Sequence, residues 1–264
     1  MIPLTIRVVA LLLAGAFALG GTTRPKNPVQ VVENEADRAA RGKVYFEWSC
    51  SPCHGVGGKG DGPIAANLRN LPRDLTLGVY KNRSTASGQL PTDYDIYRTI
   101  TAGVHTSSMP PFAQLDPKVR WMLVAYVKTL STRFSDSEEY PLDTVKLSKP
   151  LPVTPAGLAQ GRKIYVAMKC YDCHGNFGRG DGPAAPTQHD DAGHYVVSTD
   201  LTNRSAYKFA SNVSDVYRIF STGLNGVPMP SYTNSLSDDE RWHLANYVWA
   251  LQNHEQYPAI GGIQ

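Results

Sequence analysis

An all-α fold in two tandem copies is the architecture the sequence predicts, and three observations carry it. Short motifs recur at a displacement of 120 residues: Gly60-Asp61-Gly62-Pro63 as Gly180-Asp181-Gly182-Pro183, Asp95-Ile96-Tyr97-Arg98 as Asp215-Val216-Tyr217-Arg218, and Met109-Pro110 as Met229-Pro230. Apolar residues in each copy fall at helical spacing behind recognisable caps. Runs that alternate apolar and polar residues, as strands do, are nearly absent.

The elements follow in chain order. After Arg7, the run from Val8 to Gly20 is almost wholly apolar and ends in Ala18-Leu19-Gly20, small residues of the kind a signal peptidase prefers. The run falls short of the roughly 20 residues a membrane-spanning helix needs, so residues 1–21 are expected to be a signal peptide, with retention as an anchor left open. Export, with a periplasmic location for the remainder, is the corresponding expectation. An N-terminal extension covers 22–36, a first domain 37–130, a linker 131–156, a second domain 157–252 and a tail 253–264. The linker is polar, carries four prolines between Ser131 and Pro155 and shows no apolar period.

Each domain repeats one order of segments. A first helix over about Glu35 to Cys50, and Leu158 to Cys170, leads into a glycine-rich loop; a short middle helix covers Tyr94 to Ala102 and Ser214 to Thr222; a methionine loop precedes a last helix. In the first copy Asp116 caps that last helix, with Pro117 at its first position and Val119, Met122, Tyr126 and Leu130 on its apolar face. In the second, Ser237 and Glu240 form a capping box ahead of Leu244, Tyr247, Val248 and Leu251. The register slips locally: Asp74-Leu75-Thr76 matches Asp200-Leu201-Thr202 at 126, Arg120-Trp121 matches Arg241-Trp242 at 121, and Gln188 to Tyr195 is inserted in the second copy alone.

The chemistry lies in a pentapeptide that occurs twice, Cys50-Ser51-Pro52-Cys53-His54 and Cys170-Tyr171-Asp172-Cys173-His174, and takes up all four cysteines of the chain. In an exported protein C-x-x-C-H is a covalent haem attachment signal. Two thiols three residues apart add to the two vinyl groups of one porphyrin, and the adjacent imidazole, held beneath the ring, reaches the iron. Two covalently bound haem c groups, each with its iron, are therefore expected, anchored by Cys50 and Cys53 with His54 and by Cys170 and Cys173 with His174. A zinc site would leave each motif incomplete, and redox disulfides would leave the repeated histidine without a role.

One iron face remains to be filled in each copy. Met109 follows His54 by 55 residues and Met229 follows His174 by 55, so the duplication puts both in equivalent places. Pro110 and Pro111 follow Met109, and Pro228 and Pro230 flank Met229, which keeps each methionine on an extended backbone with few free torsions. These two are the expected second ligands. Met122 falls inside a helix, Met168 precedes the attachment motif, His105 is matched by Asn225 in the other copy, and His189 and His194 lie in the insertion.

The net charge of +3 falls to +2 without Arg7, and four haem propionates bring the reduced di-haem form to −2 and the oxidised form to 0. A near-neutral charge of that kind argues against nucleic-acid binding.

The order C-x-x-C-H, glycine-rich loop ending in Gly-Pro, Met-Pro, then a helix bearing Trp and Tyr resembles the class I c-type cytochrome domain, and the tandem resembles di-haem cytochromes of the cytochrome c4 type. The resemblance implies that each domain wraps around one haem. It further implies that the carbonyls of Pro63 and Pro183 accept the second imidazole hydrogen of His54 and His174, and that Tyr45 and Tyr165 pack across Trp121, Tyr126, Trp242 and Tyr247. Electron transfer between redox proteins, rather than catalysis, is the function it implies. The Gly-x-Gly-Asp-Gly-Pro form, with Lys59 and Arg179 at the variable position, equally resembles the cytochrome domains of respiratory dehydrogenase and oxidase complexes. A subunit of such a complex, with membrane association through the N-terminal segment or a partner, therefore stays open, as does a di-haem peroxidase in which one iron lacks its methionine. Lys59, Arg69, Arg73 and Arg179 are candidate partners for the propionates.

Overall fold

The computed structural model describes residues 34–252 except 69 and 106, so the leader, most of the N-terminal extension, Arg69 and the tail lie outside the described residues. Among the described residues eight α-helices run in the order α1 (Glu35–Ser49), α2 (Ser51–His54), α3 (Asp93–Ala102), α4 (Pro117–Thr129), α5 (Pro155–Ala167), α6 (Tyr171–His174), α7 (Val213–Thr222) and α8 (Asp238–Leu251), interspersed with short 3-10 turns. Among the described residues pairing of extended backbone is confined to three isolated bridges, Thr85 with Thr144, His189 with Tyr195 and Leu224 with Met229. The fold is all-α, as expected.

Local chemistry explains where the helices begin. Asp116 accepts from the Lys118 amide with Pro117 behind it, and Ser237 and Glu240 form the reciprocal capping box read from the sequence. A second such box, Thr92 with Asp95, starts α3 and was not foreseen. Helix α5 starts at Pro155, earlier than Leu158, because Thr154 accepts from the Gly157 amide at 3.0 Å.

In each half the first helix crosses the last, α1 on α4 and α5 on α8, with α3 or α7 against the last helix. The crossing is close: a Cβ at Gly42 would lie 1.9 Å from the Met122 carbonyl oxygen, and one at Gly161 would lie 2.1 Å from that of His243. Around these crossings Phe46, Ile96, Ile100, Leu123, Val124 and Tyr126 form the first core, and Ile164, Tyr165, Val216, Phe220, Leu244 and Tyr247 part of the second. Tyr97 stacks on Trp121 at 4.5 Å and Tyr217 on Trp242 at 4.2 Å, with Arg120 and Arg241 over the tyrosine rings.

The two halves are joined by more than the chain. The linker first ties back to the first half, where Arg133 donates to the Gly78 and Gly88 carbonyls and Val145 donates to the Ser84 carbonyl. It then runs along the second half, where Ser148 accepts from the Trp242 indole at 2.9 Å and the Leu151 carbonyl accepts from Asn246 at 3.2 Å. Tyr217 and Trp242 are fully covered as a result, whereas Trp121 stays 37 % exposed.

Candidate haem centres

Both C-x-x-C-H motifs fold as a single helical turn, α2 and α6. The amides of His54 and His174 donate to the carbonyls of Cys50 and Cys170, each at 2.9 Å. One turn with residues i, i+3 and i+4 on the same side puts both thiols and the imidazole of each motif on one face. The carbonyl ends of these turns are closed by the glycine-rich loops: Gly60 and Gly62 donate to His54 and Cys53, and Gly180 and Gly182 to His174 and Cys173. Only glycine fits at the second of each pair, because a Cβ on Gly62 or Gly182 would lie 2.3 Å from a carbonyl oxygen of the turn.

The way into the motif differs between copies, and this corrects one expectation. Cys50 donates to Phe46, four residues back, whereas Cys170 donates to Tyr165, five back, with Lys169 between them at φ 55. That left-handed residue inserts one extra position, so the first helices match at 119 rather than 120. Phe46, not Tyr45, is therefore the counterpart of Tyr165. Phe46 packs on Tyr126 at 5.0 Å and Tyr165 on Tyr247 at 5.5 Å, while Tyr45 is 40 % exposed.

The imidazole partners are a second correction. The Nδ1 of His54 lies 3.0 Å from the Arg73 carbonyl and that of His174 lies 2.9 Å from the Thr199 carbonyl. Pro63 and Pro183 are exposed, and the residues beside them bond to the back of the motif turn. Arg73 and Thr199 each precede the repeated Asp-Leu-Thr turn, in which Asp74 and Asp200 accept from Thr76 and Thr202. The 126-residue register of that turn was the signal that locates these carbonyls.

Each Nδ1–H donating to a carbonyl leaves Nε2 as the free lone pair, the atom an iron would take. Burial lowers the pKa of both imidazoles, outweighing the carbonyl bond that raises it, and favours the neutral ligand form. Burial likewise pushes the Cys50 and Cys170 thiols up to about 11. All four thiols are free of disulfide bonds. Two free thiols beside an imidazole with an open Nε2, twice over, fit covalent haem.

The methionine loops are built alike. Gly103 and Gly223 end α3 and α7 at φ 66 and 65, and a Cβ on either would come within 3.0 Å of the Met109 or Met229 carbonyl oxygen. Val104 and Leu224 donate to those carbonyls at 3.1 and 2.9 Å, and Phe112 and Tyr232, three residues on, donate back to Ile100 and Phe220. Tyr232 borders the same core as Cys170, and Phe112 the same core as Cys50, so the end of each loop and its attachment motif pack on one core. Met109 and Met229 are half-buried.

The other candidates lie elsewhere. His105 is exposed; His189 bonds the Thr187 carbonyl and His194 faces Asp190 at 3.5 Å, both on the inserted loop. Arg179 lies over the Phe177 ring at 5.9 Å, and Arg73 sits in the field of Asp190 and Asp191. Sequence reasoning missed Tyr232 as a neighbour of the thiol and Arg83, which is buried between the halves.

Comparison with known proteins agrees with this geometry. The cytochrome c family model matches residues 39–131 and again 158–252. The Cbb3-type cytochrome c oxidase subunit FixP of Azorhizobium caulinodans is 28% identical over 220 residues, covering 80% of this chain but 59% of that protein, so the chain spans less than two thirds of its curated relative. A solved chain of the Kuenenia stuttgartiensis reducing HAO-like protein complex Kustc0457/Kustc0458 superposes with a TM-score of 0.76 at 44% identity, over 80% of this chain and 95% of that one. With two matched regions, each containing its own attachment motif, the chain belongs to the cytochrome c family.

Proposed function

We propose that the chain is a periplasmic electron-transfer subunit of a larger respiratory oxidoreductase, with one iron held between His54 and Met109 and the other between His174 and Met229. Its haem domains are residues 37–130 and 157–252, with 131–156 as the linker. The observation that carries the ligand assignment is the matched architecture of the two methionine loops, whose backbones are pinned by equivalent hydrogen bonds at equivalent distances from their histidines.

When bound, each haem supplies a one-electron ferrous–ferric couple. The chain's part is positional. Arg73 and Thr199 orient the imidazoles through their carbonyls, keeping Nε2 unprotonated and aimed away from the loop. The prolines beside each methionine restrict the backbone that carries the thioether, which limits reorganisation on a change of oxidation state. With a methionine at the same place in each half, no observation singles out an open iron, and the peroxidase reading gains no support.

The complex-subunit reading draws on the comparisons, in which one relative is named as an oxidase subunit and the other as a chain of a HAO-like complex. Two experiments test the whole. Met109→Ala and Met229→Ala should each abolish half of the near-infrared absorption typical of a ferric iron bound to a thioether, and lower one of two reduction potentials, with both haems still covalently attached. A variant that titrates like wild type removes that methionine as a ligand. Purification from native membranes should bring down a second redox subunit; recovery of the chain alone from the soluble periplasmic fraction removes the subunit reading.

A further inference from the structure

The Met229 loop is held by residues from the other half of the chain. Arg83, in the first half's loop ahead of α3, is 1 % exposed. Its guanidinium donates to the Thr222 carbonyl at 2.5 Å and the Gly223 carbonyl at 3.4 Å, and within its own half to the Ala86 carbonyl at 3.2 Å and the Tyr80 carbonyl at 3.5 Å. Thr222 closes α7, and Gly223 is the point where the Met229 and Pro230 backbones pass. Asn225, inside the loop, accepts from the Gly88 amide at 3.0 Å and donates to the Gln89 carbonyl at 3.3 Å, both again in the first half.

The duplication supplies the control. Ser84 and Ser211 hold equivalent places, since each donates through its amide and its hydroxyl to the aspartate of the following helix, Asp95 or Asp215. The residue before Ser84 is Arg83; the residue before Ser211 is Ala210. The counterpart of Asn225 is the exposed His105. Among the described residues, neither contact is therefore repeated on the Met109 side. A guanidinium is unfavourable to take out of water and is retained buried only where its donors are used; those of Arg83 go in part to the backbone behind the Met229 loop.

We propose that Arg83 is a positioning residue for the second haem, acting through the Thr222 and Gly223 carbonyls to keep Met229 on its iron, so that ligation in the second half depends on the first. This rests on the methionine reading above. Removing the side chain leaves the buried Thr222 carbonyl without its donor and the Gly223 carbonyl with the Thr222 hydroxyl alone, a loss that corresponds to about a tenfold shift in a ligand-exchange equilibrium.

The test is an imidazole titration of the oxidised di-haem protein, followed by loss of the near-infrared thioether absorption. Met109→Ala and Met229→Ala identify which haem responds. Arg83→Ala should raise imidazole affinity about tenfold at the haem that Met229→Ala opens, and Arg83→Lys should fall between it and wild type. Unchanged affinity, or equal rises at both haems, overturns the proposal. Should Arg83→Ala fail to accumulate with both haems, Asn225→Ala is titrated instead and must raise affinity at the same haem; silence there overturns it equally. A Met229→Ala protein that behaves as wild type sinks the ligand reading itself, whereas a responsive Met229→Ala beside a silent Arg83→Ala sinks only the role of Arg83.

Discussion

Replacing Phe46 and Tyr45 by alanine, one at a time, separates the register seen in the structure from the one the 120-residue repeat implies. Phe46 is 1 % exposed, sits 5.0 Å from the Tyr126 ring and 6.5 Å from the His54 ring, and joins the first core to the attachment turn. Truncating a ring so placed costs the transfer energy of the lost atoms and a cavity, about 3–5 kcal/mol together. Tyr45, 40 % exposed, has little to lose, and its replacement should stay within about 1 kcal/mol. For a half of roughly 100 residues these figures correspond to a fall in melting temperature of more than about 10 °C for Phe46→Ala and of no more than about 4–8 °C for Tyr45→Ala. Thermal unfolding of the oxidised protein, followed in the haem absorption, reads both. A Tyr45→Ala protein that melts as early as Phe46→Ala refutes the 119-residue register and the role assigned to Lys169.

Three further outcomes are expected. Gly62→Ala and Gly182→Ala place a methyl group against the carbonyls of the attachment turn and should each destabilise the half concerned by about 1–3 kcal/mol, lowering the yield of haem-loaded protein; normal melting of either would remove the close approach as a constraint. Burial raises the Asp215 carboxyl, but the Ser211 bonds and Arg218 at 2.6 Å outweigh it and hold its pKa below the ordinary range. Its contribution is thus present above the ordinary carboxylate pKa of about 4 and is lost as pH falls through the depressed value. Asp215→Asn should lower stability at neutral pH and flatten the acid limb of a pH–stability curve; an unaltered acid limb refutes this. Tyr165→Phe removes the 2.7 Å bond to the Gly175 carbonyl and should cost about 1 kcal/mol in urea unfolding, and no loss at all would show that bond to be idle.

What the sequence made legible was most of what duplicates and the caps of the last helices, though not the Thr92 and Asp95 box. The attachment motifs and the paired methionines repeat, and α4 and α8 begin where the Asp116 and Ser237 caps place them. Lys169 was invisible because a single left-handed residue at a helix end leaves no compositional trace and is absorbed in an otherwise constant repeat. The carbonyls of Arg73 and Thr199 were missed because a backbone acceptor has no residue identity, so proline was chosen on family resemblance and the loop spent it elsewhere. Arg83 occurs in one copy alone, with Ala210 at the matching place, so the duplication carries no sign of it. The linker read as polar and aperiodic, which it is; its bonds through Ser148 and Leu151 depend on partners about 95 residues away.

Those linker bonds have a consequence for where the second half starts as an independent object. The family match opens at residue 158, yet the indole of Trp242 and the amide of Asn246 are satisfied by chain that comes before it. A fragment cut at the homology boundary inherits a bare tryptophan face and two stranded donors, so an autonomous second half has to be excised upstream of Ser148.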